Sequence, residues 1–340
     1  MQKRYAVFNA KRIWSKSLLV SILFFLALVI LGRTFGAYNQ SQLASVATLF
    51  IGVLSVTLLT GASGQISLGQ GAIMAVGGYA AALLVLNLGL SMWLAFIFAI
   101  LIAALAGLLL GLAAARLTGP YLAGTTLVIA LAIPTLANRF ESTFGGDVGL
   151  SVDVGNPPMW LSKLFGEVGI EQWQLFVAIP FSALALFGVI NLSRSRTGRV
   201  WRAIRDNEVA ASLHGLNVQR NKIIAFVCAS GLAGLAGALY GFRGIVGPSV
   251  YPIDLSLALL TGAVIGGLRS ITGALVGTVF IVFLPDLIGK FTNVFKVSEQ
   301  ISNYLPALVS GVLLLLTIVI NPAGLAAAGS HLLKRRHRTK

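Results

Sequence analysis

The sequence predicts an all-α polytopic membrane protein with about ten transmembrane helices. Of its 340 residues, 57% are hydrophobic and only 10% are charged, whereas soluble domains average about 25% charged residues. No charged residue occurs between Thr34 and Ala115, a stretch several times longer than the roughly 20 residues of one helical span. The chain also has 38 glycines, and small residues favour close helix packing in lipid. These observations exclude an ordinary soluble globule, a disordered chain and a fibre.

Ten apolar segments account for the predicted spans, and we expect residues 1–340 to form a single transmembrane domain. Their approximate bounds are 17–32, 43–60, 71–86, 93–115, 120–138, 174–192, 223–241, 255–268, 270–289 and 305–320. The third, eighth and ninth are the least well defined, because glycine interrupts them and two are short or closely spaced.

Lys and Arg residues determine the predicted orientation. With a cytoplasmic amino terminus, 19 of the 25 Lys and Arg residues fall in cytoplasmic segments, as the positive-inside rule requires. Both termini are then cytoplasmic, with basic segments at 1–16 and 326–340. Of the two long polar stretches, 139–172 is predicted to be extracytoplasmic and 193–222 cytoplasmic. A signal peptide at 16–37 is an alternative, although its apolar part is long for that role.

The charge and motif content argues against several functions. The net charge of +15 resides at the termini and in one loop, which indicates membrane topology rather than nucleic-acid binding. The single cysteine and three scattered histidines form no metal motif, and no catalytic or nucleotide-binding motif is present. We therefore expect no catalytic residue, cofactor or metal in this chain. The spans also lack a proton relay, so transport against a gradient needs energy from another subunit.

The first informative motif runs from Thr60 to Ala72, where four glycines are mixed with Gln and Ser. So many glycines disfavour a continuous helix, and irregular backbone within a membrane is tolerated where it faces protein or a water-filled cavity. We predict a broken helix that lines a translocation path, with tight glycine-mediated packing as an alternative that is compatible with it. The predicted path residues are Gly64, Gln65, Ser67, Gly69, Gln70, Thr125 and Thr126.

The second motif is an amphipathic stretch in the cytoplasmic loop, predicted to be one helix from about 199 to 213. Its apolar face comprises Val200, Trp201, Ile204 and Ala211. The spacing allows Arg205 to reach Glu208 and Arg202 to reach Asp206, and Gly215 is a typical helix stop.

This helix could lie on the bilayer surface. We favour a coupling helix that docks into a groove of a cytoplasmic motor protein, because Glu208 on the apolar face is unfavourable against lipid. The predicted coupling residues are Arg202, Arg205, Asp206, Glu208, Ala210, Ala211 and Gly215.

The third motif, residues 256–277, contains a Gly266-Gly267 turn between two spans. Gly273 and Gly277 have the small-xxx-small spacing of close helix contacts. We favour a packing role, with a direct role in the path as the alternative.

Together these motifs resemble the permease family of branched-chain amino-acid ABC importers, and within it the LivM-type subunit. The resemblance covers roughly residues 40–325 and is strongest in 64–69, 198–211, 233–240 and 265–270, with a similar Asn-Pro-Ala-Gly-Leu at 321–325. Ala210, Ala211 and Gly215 match the family's Glu-Ala-Ala-x3-Gly coupling pattern. Val209, however, occupies the Glu position, and Glu208 lies one residue early.

The resemblance implies a non-catalytic permease subunit in the bacterial inner membrane that imports amino acids, with branched-chain or hydrophobic ones first. It implies four kinds of partner: a second homologous permease, two ATP-binding subunits that hold ATP and Mg²⁺, an extracytoplasmic solute-binding protein and membrane lipid. The family fold implies an inverted repeat of two halves, spans two to five and seven to ten. A urea or short-chain amide importer permease and a stand-alone secondary transporter remain alternatives.

Overall fold

The computed structural model describes residues 2–294 and 299–320, apart from positions 118, 160, 162, 164, 165 and 167. Eight of its helices are long and apolar enough to cross a membrane, and two shorter apolar helices accompany them. The predicted fold class, an all-α polytopic membrane protein, is therefore confirmed, and the helices fit the ten predicted spans. The predicted basic tail at 326–340 lies outside the described residues.

Most of the described helices follow one another with short connections, and the longer connections are at 145–169 and 242–252. In chain order they are α1 (Gln2–Thr34), α2 (Ala37–Val56) with a π-helical continuation (Thr57–Ala62), α3 (Gln70–Leu88), α4 (Met92–Ala114), α5 (Pro120–Arg139), α6 (Glu141–Phe144), α7 (Ile170–Arg194), α8 (Arg196–Asp206), α9 (Glu208–Leu213), α10 (Val218–Gly241), α11 (Ile253–Gly266), α12 (Ile271–Val294) and α13 (Glu299–Ile320). Two short strands, β1 (Leu150–Ser151) and β2 (Ile245–Val246), pair antiparallel.

The bundle has two distinct ends. The end that contains residues 194–222 is rich in Arg, and we call it the basic end. The opposite end contains the β1–β2 ribbon, and we call it the ribbon end. There, burial raises the pKa of Tyr251 above its usual range, so its phenol stays protonated. The phenol donates a hydrogen bond to the Gly237 carbonyl at 2.8 Å, which ties the ribbon-end connection to α10.

Helix α10 is the centre of the bundle and packs against α2, α3 and α4. Glycines allow the backbones to approach closely: a Cβ at Gly237 would overlap the carbonyl of Met74 in α3, and one at Gly107 of α4 would overlap Ser230 of α10. Helix α2 is also enclosed, and its apolar window is fully buried. Small residues thus bring the helices together in the way that membrane bundles require.

Helices α11 and α12 form a tight hairpin, as the third motif predicts. Gly277 faces the backbone of Gly262, and Gly266 faces that of Gly273, with no room for a side chain at either contact. Gly267 turns the chain with a φ of 107°. Helix α11 has only 14 residues, about 21 Å of helix, and is therefore shorter than the roughly 30 Å hydrocarbon core. The inverted repeat of the two halves stays a prediction.

Candidate coupling and translocation site

The segment after the π-helical turn is broken, in agreement with the first motif. Residues 63–69 form no continuous helix, and α3 starts at Gln70. A side-chain hydrogen bond of 3.3 Å joins Gln70 to Ser55, which precedes Ala62 by seven residues. The start of α3 therefore lies about 10 Å, or two turns, deeper in the bundle than the end of the π-helical segment. Ser63, Gln65, Ser67 and Gly69 of the irregular segment are enclosed by protein, as a membrane interior demands, whereas Gly64 and Ile66 are exposed.

Neutral polar side chains anchor this irregular segment to its neighbours. The Gln65 amide donates to the Ser63 hydroxyl at 2.9 Å and to the Lys222 carbonyl at 3.1 Å. Thr126 of α5 accepts a hydrogen bond from the Leu68 N–H at 2.9 Å. The segment is thus attached to both α10 and α5, which explains why Gln and Thr occur in an otherwise apolar sequence.

The predicted path residues are mostly buried in protein. Gln65, Ser67, Gln70 and Thr126 are each less than 5% exposed, whereas Gly64 and Thr125 are exposed. Within the described part of the chain, the Oε1 atom of Gln65 and the Nε2 atom of Gln70 have no hydrogen-bond partner. A buried unpaired polar atom costs about 1–3 kcal/mol, so the segment is held in a polar but incompletely satisfied arrangement.

The predicted coupling segment, residues 196–213, consists of two helices, and the prediction of one helix over 199–213 is wrong. Helix α8 ends at Asp206, and Asn207 has the extended angles φ −160° and ψ 106°. The Asn207 side chain then accepts a hydrogen bond from the Ala210 N–H at 2.9 Å and so caps the start of α9. The helix stop at Gly215 is as predicted, with a φ of 78°.

The apolar face of α8 attaches this segment to the bundle. Trp201 and Ile204 are each 1% exposed, and the Trp201 indole N–H donates to the Asn221 carbonyl at 3.1 Å. In α9, Ala211 is buried as well. This face is therefore covered by the bundle itself, and a partner would meet the opposite face.

Arg205 connects the two predicted sites. Its guanidinium donates to the Gly61 carbonyl at the end of the π-helical segment and pairs with Asp206 at 2.8 Å. Gly64 has a φ of 76°, and a Cβ there would lie 2.6 Å from the Arg205 Cγ. The coupling segment and the helix break are thus in direct contact, across 144 residues of sequence.

The ion pairs differ from those that helical spacing suggests. Arg205 pairs with its neighbour Asp206 rather than with Glu208, and Arg202 donates to the Ser193 carbonyl at 2.8 Å rather than to Asp206. The physical reason is the extended residue between the two helices, because it places Glu208 on a separate helix. The i,i+3 geometry is thereby lost.

Glu208 instead pairs with Lys222, a residue that the sequence reasoning missed. The Lys222 ammonium lies 2.6 Å from the Glu208 carboxylate, and the lysine side chain is 6% exposed. Its backbone carbonyl accepts the bond from Gln65. Lys222 lies just before the apolar part of α10, and no sequence pattern indicates its partner across the intervening turn.

Two apolar side chains of the coupling segment remain exposed. Val209 is 70% exposed and Leu213 is 83% exposed, and their i,i+4 spacing puts them on one side of α9. Ala210, also a predicted coupling residue, is partly exposed beside them. Beside the segment is a cavity of about 170 Å³, whose lining includes Arg202, Arg205 and Arg269.

A much larger cavity, of about 930 Å³, lies elsewhere, between α11, α12, α13 and the ribbon-end connection at 242–252. None of the predicted path residues lines it. The sequence reasoning assigned the part of this region within 256–277 mainly to packing, because of its Gly-Gly turn and small-xxx-small spacing, with a direct role in the path as the alternative. Among the described residues, no group of three His, Cys, Asp or Glu side chains could hold a metal.

Comparison with known proteins identifies the family. The model for the permease component of branched-chain amino acid transport systems matches residues 38–319. The LivM permease of Escherichia coli K12 is 30% identical over 89% of this chain and 74% of its own length. The LivH permease of Salmonella typhimurium is 27% identical over 85% and 93%. The fructose import permease FruG of Bifidobacterium longum is 26% identical over 92% of each chain.

No solved structure matches the chain. The family match covers most of the sequence and agrees with the many apolar helices. The chain is a multi-pass membrane protein that belongs to the family of branched-chain amino acid transport system permease components.

Proposed function

We propose that this chain is the translocating subunit of an ATP-driven amino-acid importer and that it neither binds nucleotide nor catalyses a reaction itself. The observation that supports this most is the hydrogen bond from Arg205 to the Gly61 carbonyl. It links a surface segment suited to docking with a break in a buried helix. A motor protein that moves α8 and α9 would thereby act on the interior of the bundle.

The proposed assembly contains a second homologous permease, two ATP-binding subunits that hold ATP and Mg²⁺, and an extracytoplasmic solute-binding protein. The basic end faces the cytoplasm together with both termini, in accordance with the positive-inside rule. The exposed Val209 and Leu213 at this end support an ATPase contact, because a partner surface would cover them. Because the surface of the bundle is apolar, we expect membrane lipid to surround it. We expect no contact with nucleic acid.

In the proposed mechanism, ATP binding and hydrolysis in the partner subunits alternate the bundle between outward-open and inward-open states. ATP can shift this equilibrium only by its difference in affinity for the two states. Two contacts would transmit the motion: Arg205 to Gly61, and the Lys222 carbonyl to Gln65. Because Glu208 pairs with the Lys222 ammonium, a displacement of α9 would also act on this second contact.

The preferred substrates are branched-chain or other hydrophobic amino acids, because the LivM relative is named for them. A relative that is named as a fructose permease has similar coverage at 26% identity, so other small neutral solutes, including urea and short-chain amides, are the second candidates. A stand-alone secondary transporter is less favoured, since the motifs supply no proton relay.

Cysteine cross-linking tests the proposed orientation and docking together. In a Cys228→Ala background, we expect Val209→Cys to cross-link to a co-expressed ATPase subunit in native membranes. The matched control is Met159→Cys, at a residue of the ribbon end that is 85% exposed. It should react with an impermeant thiol reagent from outside and should not cross-link to the ATPase. The reverse pattern would contradict the proposal.

A further inference from the structure

The 930 Å³ cavity has the chemical character of a solute-binding vestibule. Residues of the ribbon-end connection line it, so it lies towards that end of the bundle. Its walls are mainly apolar and include Leu255, Leu284 and Leu314 from three different helices. Ligand sites commonly combine such apolar walls with a few well-placed polar groups. Here two of those groups, Arg243 and Asp254, have opposite charges.

In the part of the chain that the structure describes, neutral groups hold Arg243 in place. Its Nη1 and Nη2 atoms donate to the hydroxyls of Ser45 and Ser41 in α2, and its Cζ lies 5.7 Å from the centroid of the Tyr240 ring. No carboxylate of the described residues lies within ion-pair distance of it. A guanidinium has five N–H donors, so donors remain for an anionic group in the cavity.

Asp254 supplies the negative charge. It lies in the first turn of α11, where a carboxylate interacts favourably with the helix dipole. It is exposed to solvent, and the described part of the chain offers it neither an ion pair nor a side-chain hydrogen bond. Arg243 and Asp254 therefore line one cavity without neutralising each other through direct contact.

We propose that this cavity is the extracytoplasmic vestibule in which the chain receives an amino-acid zwitterion with an apolar side chain. Arg243 binds the carboxylate, Asp254 faces the ammonium, and the leucine-lined walls accommodate the side chain. Asp254 would repel a solute that is only an anion, and Arg243 would repel a solute that is only a cation. The pair therefore favours a solute that carries both charges. This inference rests on the proposed function and adds a site at a place distinct from the helix break.

The test is protection of an engineered cysteine in the assembled complex in lipid nanodiscs. In the Cys228→Ala background, Ala258→Cys places a thiol on the cavity wall, and its rate of labelling by a methanethiosulfonate reagent is measured. We expect saturating L-leucine to slow labelling at least fivefold. Neither 4-methylpentanoate, which lacks the ammonium, nor 3-methylbutylamine, which lacks the carboxylate, should do so at equal concentration. Val148→Cys, 86% exposed and outside the cavity, should label at the same rate throughout.

Charge-removing variants identify the two binding groups. Asp254→Asn, at an exposed position with no side-chain partner among the described residues, should reduce the protection by L-leucine to less than twofold, and Arg243→Gln should do the same. Asp153→Asn, which removes an exposed carboxylate that does not line the cavity, should leave protection unchanged. Undiminished protection in Asp254→Asn would overturn the assignment of the ammonium site.

The proposal and the proposed function fail in different ways. If L-leucine does not slow labelling at position 258, or if either half-molecule protects equally well, the vestibule assignment is wrong. ATP-driven uptake by the same preparation in proteoliposomes, measured separately, tests the importer assignment. The labelling rate is measured without any transport, so the labelling result and the uptake result are independent of each other.

Discussion

Replacing Arg205 by Gln should uncouple ATP hydrolysis from transport while the complex stays assembled. Gln cannot reproduce the bond to the Gly61 carbonyl together with the ion pair to Asp206. The coupling segment would remain attached through Trp201, which is 1% exposed. The variant therefore removes the connection between the segment and the helix break rather than the segment itself.

The size of the effect follows from the environment of the bond. A hydrogen bond to a charged group contributes about 1.5–3 kcal/mol, and a coupling free energy of about 1–3 kcal/mol corresponds to a 5- to 150-fold change in an equilibrium. The Arg205 side chain is 15% exposed, and the cavity of about 170 Å³ beside it can admit water to the freed carbonyl. We therefore expect the lower part of this range, about tenfold.

The assay is the number of solute molecules imported per ATP hydrolysed in proteoliposomes that contain the complete complex. Arg205→Gln should lower this ratio about tenfold, on the estimate of the coupling free energy, with the basal ATPase rate retained. Arg199→Gln is the matched control, because Arg199 lies on the same helix, is exposed and, among the described residues, has a side-chain hydrogen bond to the nearby Arg194 carbonyl alone. A ratio in Arg205→Gln equal to that of the control would refute the transmission through Gly61.

Three further substitutions test the packing and the second contact. Glu208→Lys should lower the thermal stability of the complex, because it places a like charge beside buried Lys222. Adding Lys222→Glu should restore part of the lost stability, and the absence of any recovery would argue against the ion pair. Gly237→Val should prevent accumulation in the membrane because its side chain would overlap α3, whereas Gly188→Val, with open space around it, should accumulate normally on an immunoblot. Thr126→Val should leave the Leu68 N–H unpaired, which costs about 1–3 kcal/mol, and should therefore reduce uptake. Full uptake activity would show that Thr126 is not needed to anchor the irregular segment.

The sequence was sufficient for features that depend on local pattern. Long apolar runs predicted the spans, helical periodicity placed Trp201 and Ile204 on one apolar face that is buried, and glycine chemistry predicted the stop at Gly215. The break before Gln70 was also predicted, because several glycines together disfavour a helix.

Features that depend on distant contacts could not be predicted in this way. The partner of Glu208 is 14 residues away across a turn, and the acceptor of Arg205 is 144 residues away. Arg243 appeared only as a charge in a short loop, although it binds serines about 200 residues earlier. Periodicity along one helix contains no information about such pairs, since they arise only when the helices pack.

The most direct test of the account is uptake by this chain with and without its proposed partners. We expect the purified chain alone to show no uphill accumulation of L-leucine in proteoliposomes. With the second permease, both ATPase subunits and the solute-binding protein, it should accumulate L-leucine only when ATP and Mg²⁺ are supplied on the ATPase side. Uphill accumulation by the chain alone, or accumulation by the complex without ATP, would contradict the account.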